Sequence, residues 1–362
     1  MKLGLFGMPL HPSSRPVSEV YDEDQGRIIL ADQLGFEEVF IGEHVSCTTE
    51  PIASPLIFLA SLINQTKNIK LGTGVVALPN HHPALVAAEV AQFDHMAKGR
   101  FQFGIGPGGL ASDMELFGVL DGAVRNEKME ESIDIILDIW QSNPPYKYNT
   151  KHYSFGVEQT IIPEISVGTM HKPFQLPHPP IFSTAMSPFS SSITKAVQRG
   201  WSPMTANFCG ENVVASHWQK YLEGCDAIGK EPTGEEWRVA RNVVVRPTDA
   251  EAEEAVLDPN GGNFFYLEYL WKVLKAANYT AVMKSDPSMS DDDVTVEDLV
   301  RDIVIYGSPD TVAEKIAAMR ERSGKFGGLL MAMMDGSGAN EAGERQSMTL
   351  LANEVMPKLR GL

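Results

Sequence analysis

Short apolar runs and amphipathic helical stretches alternate eight times along this chain, and that alternation limits the folds open to it. The runs are Leu3–Gly7, Glu38–Gly42, Ile69–Leu78, Arg100–Ile105, Ile181–Ala185, Pro203–Phe208, Val239–Arg246 and Gly327–Met334. Several, such as Leu3–Gly7 and Glu38–Gly42, carry Val, Ile, Leu and Phe in continuous runs, the pattern of strands covered on both faces. Between them lie helices with readable ends. Gly35 stops the stretch Val17–Leu34, Ser54-Pro55 supplies an N-cap and a first helical residue, and Gly99 follows Ala84–Met96. Eight strand-helix alternations in one chain, with no internal sequence repeat and no low-complexity linker, predict an α/β fold. The expected form is a single (β/α)8 TIM barrel over residues 1–362 rather than an open doubly wound sheet.

Two stretches do not fit the alternation. Residues 143–180, after strand 4, hold seven prolines and lose periodicity, so they read as an insertion carrying a hairpin and part of the site wall. Residues 258–300, after strand 7, join Gly261-Gly262, an aromatic stretch from Phe264 to Trp271 and the acidic run Asp291-Asp292-Asp293; they read as a mobile lid.

Composition narrows the partners. A formal net charge of -17 and a pI near 5.0 repel nucleic acid and anionic lipid surfaces. No apolar run reaches the roughly 20 residues of a membrane helix, and the N-terminus runs straight into a strand, so a cytoplasmic protein is expected. Cys47, Cys209 and Cys225 lack metal-ligand spacing and read as free thiols; His81, His82 and His95 do not suggest a metal either.

In a barrel of this kind the loops after the strands converge on one face, which is where chemistry is kept. Four strand ends are unusual. Strand 2 surfaces in Glu43-His44, an acid and an imidazole with no packing use there. Strand 3 contains Gly72-Thr73-Gly74-Val75, whose glycines admit a close backbone approach. Strand 4 runs into Gly106-Pro107-Gly108-Gly109, which leaves room for a flat ligand. Strand 5 leads through Ala185-Met186-Ser187-Pro188 to Ser190, Ser191 and Ser192 at a helix N-terminus, either a phosphate cradle or ordinary N-caps.

These residues, in this order, resemble the bacterial luciferase-like flavin monooxygenases over nearly the whole chain. The resemblance rests on Ile41-Gly42-Glu43-His44, Gly72-Thr73 through Leu78-Pro79 with His82-Pro83, Phe93-Asp94-His95-Met96, Lys98-Gly99-Arg100-Phe101, Gly307-Ser308-Pro309 and Glu354-Val355-Met356-Pro357. Ala185-Met186-Ser187-Pro188 brings it nearest the limonene and diketocamphane monooxygenase branch. The resemblance implies a two-component system: a separate flavin reductase supplies FMNH2, O2 adds at flavin C4a, and the resulting peroxide oxygenates a small apolar carbonyl or terpenoid-like substrate. A homodimer is implied as well. It assigns catalysis to His44 with Glu43 orienting it, and cofactor contacts to Thr73, Gly74, Val75, Gly106, Ala185, Met186, Ser187 and Ser190. It implies a cis peptide at Gly74-Val75. Phe6, Met8 and Met204 are expected to line the substrate pocket. Luciferase carries a reactive cysteine and an arginine after strand 4, where this chain has Gly106 and Pro107, so light emission is not expected. The missing arginine leaves the phosphate charge without a partner and points to weak FMN binding. An oxidoreductase using the deazaflavin F420, or a flavin binder without turnover, would share these features; neither would give an oxygen-dependent product.

Overall fold

The computed structural model, which describes residues 1–361, closes eight parallel strands into a ring. They are β1 (Lys2–Gly7), β2 (Glu38–Ile41), β3 (Lys70–Thr73), β4 (Phe101–Gly106), β5 (Ile181–Ala185), β6 (Ser202–Thr205), β7 (Arg238–Arg241) and β8 (Gly328–Ala332). Each pairs with the next, through registers such as Val39↔Leu71 and Phe182↔Ser202, and β8 returns to β1 at Leu3↔Leu329. This is the (β/α)8 barrel that the alternation predicts. Outward side chains such as Leu5, Val39, Ile41, Phe103 and Ile105 pack on the helices, while Phe6, Phe40, Phe182, Met204, Ala240 and Leu330 fill the interior. Two-sided burial is why the strands read as unbroken apolar runs.

Below that interior layer lies a charged one. Arg238 donates through Nε and Nη2 to the Glu38 carboxylate across the barrel, and Gln102 Nε2 donates to Glu38 Oε2 at 3.2 Å. A methyl on Gly328 would sit 2.4 Å from Arg238 Cδ, so the glycine makes room for the guanidinium stem.

Two strands break within their sequence runs. The third breaks at Gly74–Val75, where the peptide is cis, and resumes as Val76–Ala77 beside β4. The seventh leaves the ring after Arg241. Asn242 turns into a buried polar network, and Val243–Val245 pairs instead with Ile305–Gly307, a strand the sequence reading missed.

The first insertion forms an antiparallel hairpin, Tyr146–Asn149 with Ser154–Val157. Tyr148, Thr150, Lys151 and His152 reach carboxylates of the helix Gly122–Gln141, and Phe155 packs on His82. It clasps the outer helical layer, whereas the sequence suggested a wall of the site. The second insertion is a packed cover rather than a loose strap. Its helix Gly262–Ala276 buries Tyr266, Leu267, Leu270, Trp271 and Leu274 against Leu10, Val282, Met283 and Met334. Among the described residues no helix is long and apolar enough to cross a membrane.

The loops after β1 and β8 meet in a buried charge cluster that no local sequence pattern signals. His11 Nδ1 is 2.7 Å from Asp335 and Nε2 3.2 Å from Asp24; Arg15 pairs with Glu23 and Asp335, and Arg27 with Glu23 and Glu344. His11, Glu23 and Asp24 lie close enough to share a cation, but two guanidiniums already neutralise those carboxylates. Burial disfavours charge on His11, yet its bonds to Asp24 and Asp335 prevail and raise its pKa from 6.5 to about 9. The raised value means that the folded state holds the proton more tightly. The stabilisation is complete below pH 6.5 and is lost as pH rises through 9, about 3 kcal/mol in all. Glu344, pushed up to about 7 by burial, adds a loss of the same sign between pH 4.5 and 7. Denaturant midpoints at pH 6.5 and 9 should therefore fall for the wild type and change much less for His11→Gln; equal falls in both would assign the pH dependence elsewhere.

Candidate active site

The loop after β2 fixes His44 from two sides. Its backbone N–H donates to Ile52 O, and the following residues are held by Asp113, whose carboxylate accepts from Val45 N at 3.0 Å and Ser46 N at 2.8 Å. His44 Nδ1 bonds to the Glu50 carboxylate. Burial opposes charge on the ring, but the Glu50 charge against it outweighs that and holds the His44 pKa above its ordinary value. Nε2 has no hydrogen-bond partner among the described residues, and His44 shares a small cavity with Met8, Pro9, Gly42, Glu50 and Ile52. An imidazole so held can donate or exchange a proton from Nε2 alone.

Glu43 does not orient His44 as the sequence suggested. Its buried carboxylate accepts from His81 Nε2 at 2.8 Å, tying the loop after β2 to the loop after β3. Burial works against a charge on His81, and Glu43 overrides it to raise that pKa. The choice between two acids in one loop was invisible in the sequence, because Glu50 reaches His44 only after the chain turns back through Ser46–Thr49.

The cofactor candidates fall along neighbouring strand ends. Gly74 N donates to Ile41 O beside the His44 loop, and a methyl on Gly74 would meet Phe40 Cβ at 2.8 Å. A methyl on Gly106 would meet Val75 Cγ2 at 2.9 Å and Thr184 Oγ1 at 3.1 Å, so both buried glycines make room for neighbouring side chains where β3 and β4 end. Thr73 departs from expectation. It is fully buried, and its hydroxyl donates to Gly104 O at 2.7 Å and accepts from Gly104 N at 2.9 Å, stitching β3 to β4 rather than facing a ligand. Ala185 is buried and Met186 half-buried; their carbonyls accept from Ala206 N and from the Cys209 thiol, at 3.2 and 3.7 Å. Ser187 is exposed, and Ser190 precedes the helix Ser191–Gln198 without capping it through its side chain. Its Oγ pairs with Ser192 Oγ at 2.8 Å. No Lys, Arg or His side chain bonds these hydroxyls among the described residues. His217, its pKa lowered by burial to about 4, donates instead to Ser187 O at 2.8 Å.

The expected substrate pocket is only partly present. Met8 borders the cavity with His44, but Met204 has no exposed surface and Phe6 only 6%. Both belong to the packed interior, as side chains at the middle of barrel strands do.

Helix Gly262–Ala276 spans the rim. Tyr269 OH lies 3.0 Å from Cys47 Sγ in the His44 loop, Tyr266 bonds Asn207 after β6, and Asn263 bonds Asn242 after β7. Just beyond its end, Tyr279 OH donates to Ser187 Oγ at 2.5 Å. The sequence offered the aromatic stretch as a lid but not these attachment points.

The ring and the strand-end groups define a TIM-barrel protein whose candidate site lies along the C-terminal rim from β2 to β5. Over residues 1–325 the chain matches the luciferase-like monooxygenases, and it belongs to that family. It is 29% identical to 2,5-diketocamphane 1,2-monooxygenase 1 of Pseudomonas putida over 99% of both chains. It is 28% identical to limonene 1,2-monooxygenase of Rhodococcus erythropolis over 99% of this chain and 86% of that one. Among solved structures, the oxygenating constituent of 3,6-diketocamphane monooxygenase from Pseudomonas putida, a type II Baeyer-Villiger monooxygenase in complex with FMN, superposes with a TM-score of 0.88. The identity is 29%, over 99% of this chain and 98% of that one.

Proposed function

We propose that this flavin-dependent monooxygenase works with FMN reduced by a separate reductase and oxygenates a small apolar carbonyl or terpenoid-like substrate. The observation that carries the reading is the run of adjacent strand ends from His44 through Gly74, Val75 and Gly106 to Ser187 and Ser190. Three strand spacings from β2 to β5 come to about 14 Å, the scale of a flavin mononucleotide. The donor set fits the group: the half-buried Val75 offers an apolar face to a flat ring, and serine hydroxyls at a helix N-terminus suit a phosphate. When bound, reduced FMN would supply the electrons that activate O2.

The chain's own part is positional. Val75 and Gly106 seat the ring, the cover helix keeps water from the rim, and His44, held by Glu50, presents Nε2 as a proton donor or acceptor beside the substrate. The diketocamphane and limonene monooxygenases among the relatives support the substrate class, and the relative that is an oxygenating constituent supports the reductase partner. Exposed Ile57 and Leu85, on helices that touch, support a homodimer, and the acidic composition suits the cytoplasm.

Anaerobic titration with reduced FMN, followed by rapid mixing with oxygenated buffer, tests this. A long-lived absorbing species distinct from oxidised flavin is expected, with product when a cyclic ketone is present. Reoxidation at the rate of free flavin would overturn it and favour the F420 oxidoreductase or a non-catalytic binder.

A further inference from the structure

The phosphate end of the proposed flavin site has hydroxyls and backbone N–H groups but, among the described residues, no cation bonded to them. Ser187, Ser190 and Ser192 are neutral donors, and the nearest histidine is spent on the Ser187 carbonyl. A dianionic phosphate placed there needs further donors, and those can come only from what covers the loop. Tyr279 is the side chain that does so. Its position is set by the end of the cover helix: Tyr279 N donates to Leu274 O at 2.8 Å, and Asn278 before it takes a left-handed φ of 53°. Directly after it, Gly210 N donates to Val282 O at 2.8 Å, anchoring the segment to the loop after β6. Held on both sides, the phenol reaches down to Ser187 Oγ.

We propose that Tyr279 is a cofactor-binding residue of the cover, whose hydroxyl, now donating to Ser187, turns to donate to the FMN phosphate and fastens the second insertion over the bound flavin. The proposal rests on reading Ser187 and Ser190 as the phosphate cradle. A phenol suits the part, because its hydroxyl both donates and accepts and can change partner by rotation. Its reach also explains how a site without an arginine gathers enough donors. Three consequences follow for the cover. The phosphate and not the ring adds to the fastening it already has through Ser187, the flavin without phosphate leaves it as it is, and loss of the hydroxyl alone removes the distinction.

The test compares FMN with riboflavin, which lacks the phosphate, each reduced and titrated anaerobically into the full-length wild type and Tyr279→Phe. A charge-assisted hydrogen bond corresponds to about tenfold in affinity. Tyr279→Phe should therefore weaken FMN binding about tenfold and leave riboflavin unchanged. Limited proteolysis supplies a second readout: FMN, not riboflavin, should slow cleavage within 277–295 in the wild type and do so less in the variant. Equal FMN affinity in both proteins, or an equal loss for FMN and riboflavin, would overturn the role of Tyr279 while leaving the flavin site standing. A wild type that binds neither flavin would instead sink the underlying reading.

Discussion

Substrate oxygenation by the His44→Ala variant is expected to fall by two to four orders of magnitude, about the contribution of a positioned acid or base, while FMN affinity moves by no more than a few fold. The asymmetry follows from place. His44 stands at the β2 end of the rim, and the serine hydroxyls proposed to hold the phosphate stand three strands away, so removing the imidazole leaves them untouched. Within the loop the imidazole has one nitrogen committed to Glu50 and one without a hydrogen-bond partner among the described residues, and the residue lines the cavity with Met8 and Ile52. Glu50→Gln separates the two nitrogens' tasks. It keeps a hydrogen-bonding partner but removes the charge that raises the His44 pKa, so the limb of the pH–rate profile belonging to His44 should move to lower pH. Glu43→Gln changes a carboxylate bonded to His81 and should leave that limb nearly in place. Product formation with a supplied reductase, measured from pH 5 to 9, tests all three; full activity in His44→Ala would take the residue out of the chemistry.

Much of this architecture was legible because one physical cause wrote both the sequence and the fold. A strand covered on both faces has no polar alternation, and Leu3–Gly7 and Val39–Ile41 announced themselves for that reason. Glu43-His44 and the serines from Ser187 to Ser192 stood out because polar groups at strand ends have nothing to gain from the core. What stayed hidden depends on residues distant in sequence. Glu50 takes His44 from Glu43 only through a turn, Thr73 bonds Gly104 across two strands, and Tyr279 meets Ser187 across 92 positions. Phe6 and Met204 looked like pocket walls because apolar residues near strand ends serve either a pocket or a packed interior, and side-chain type does not separate the two. Strand seven misled for a related reason: Val243–Val245 continues the apolar run, but Asn242 is the residue that ends the ring. Buried charges are the least legible. Glu38 and Arg238 lie 200 positions apart, and each alone reads as a polar residue at a strand's start.

That pair carries the largest expected effect on stability. Both side chains are about 2% exposed, inside the barrel floor, with Gln102 as the remaining donor to the carboxylate. Desolvating the two charges costs much of what their attraction returns, so the pair adds little over an apolar filling of equal volume. Removing one partner is a different matter, because the other charge then stays buried without compensation. Glu38→Leu should destabilise the chain by about 3–5 kcal/mol, against a total of about 5–15 kcal/mol for a folded protein. Arg238 could not escape to water, since Gly328 and the ring of Phe182, 5.7 Å away, enclose it. Glu38→Leu combined with Arg238→Met should recover most of the loss, and that recovery separates an orphaned charge from a mere cavity, for which the two losses would add. The exposed pair Lys272–Glu268 is the control, with an expected change below about 0.5 kcal/mol. Denaturant midpoints of the four proteins decide the matter: a double variant less stable than either single one would mean that Glu38 and Arg238 hold the floor by shape rather than by charge.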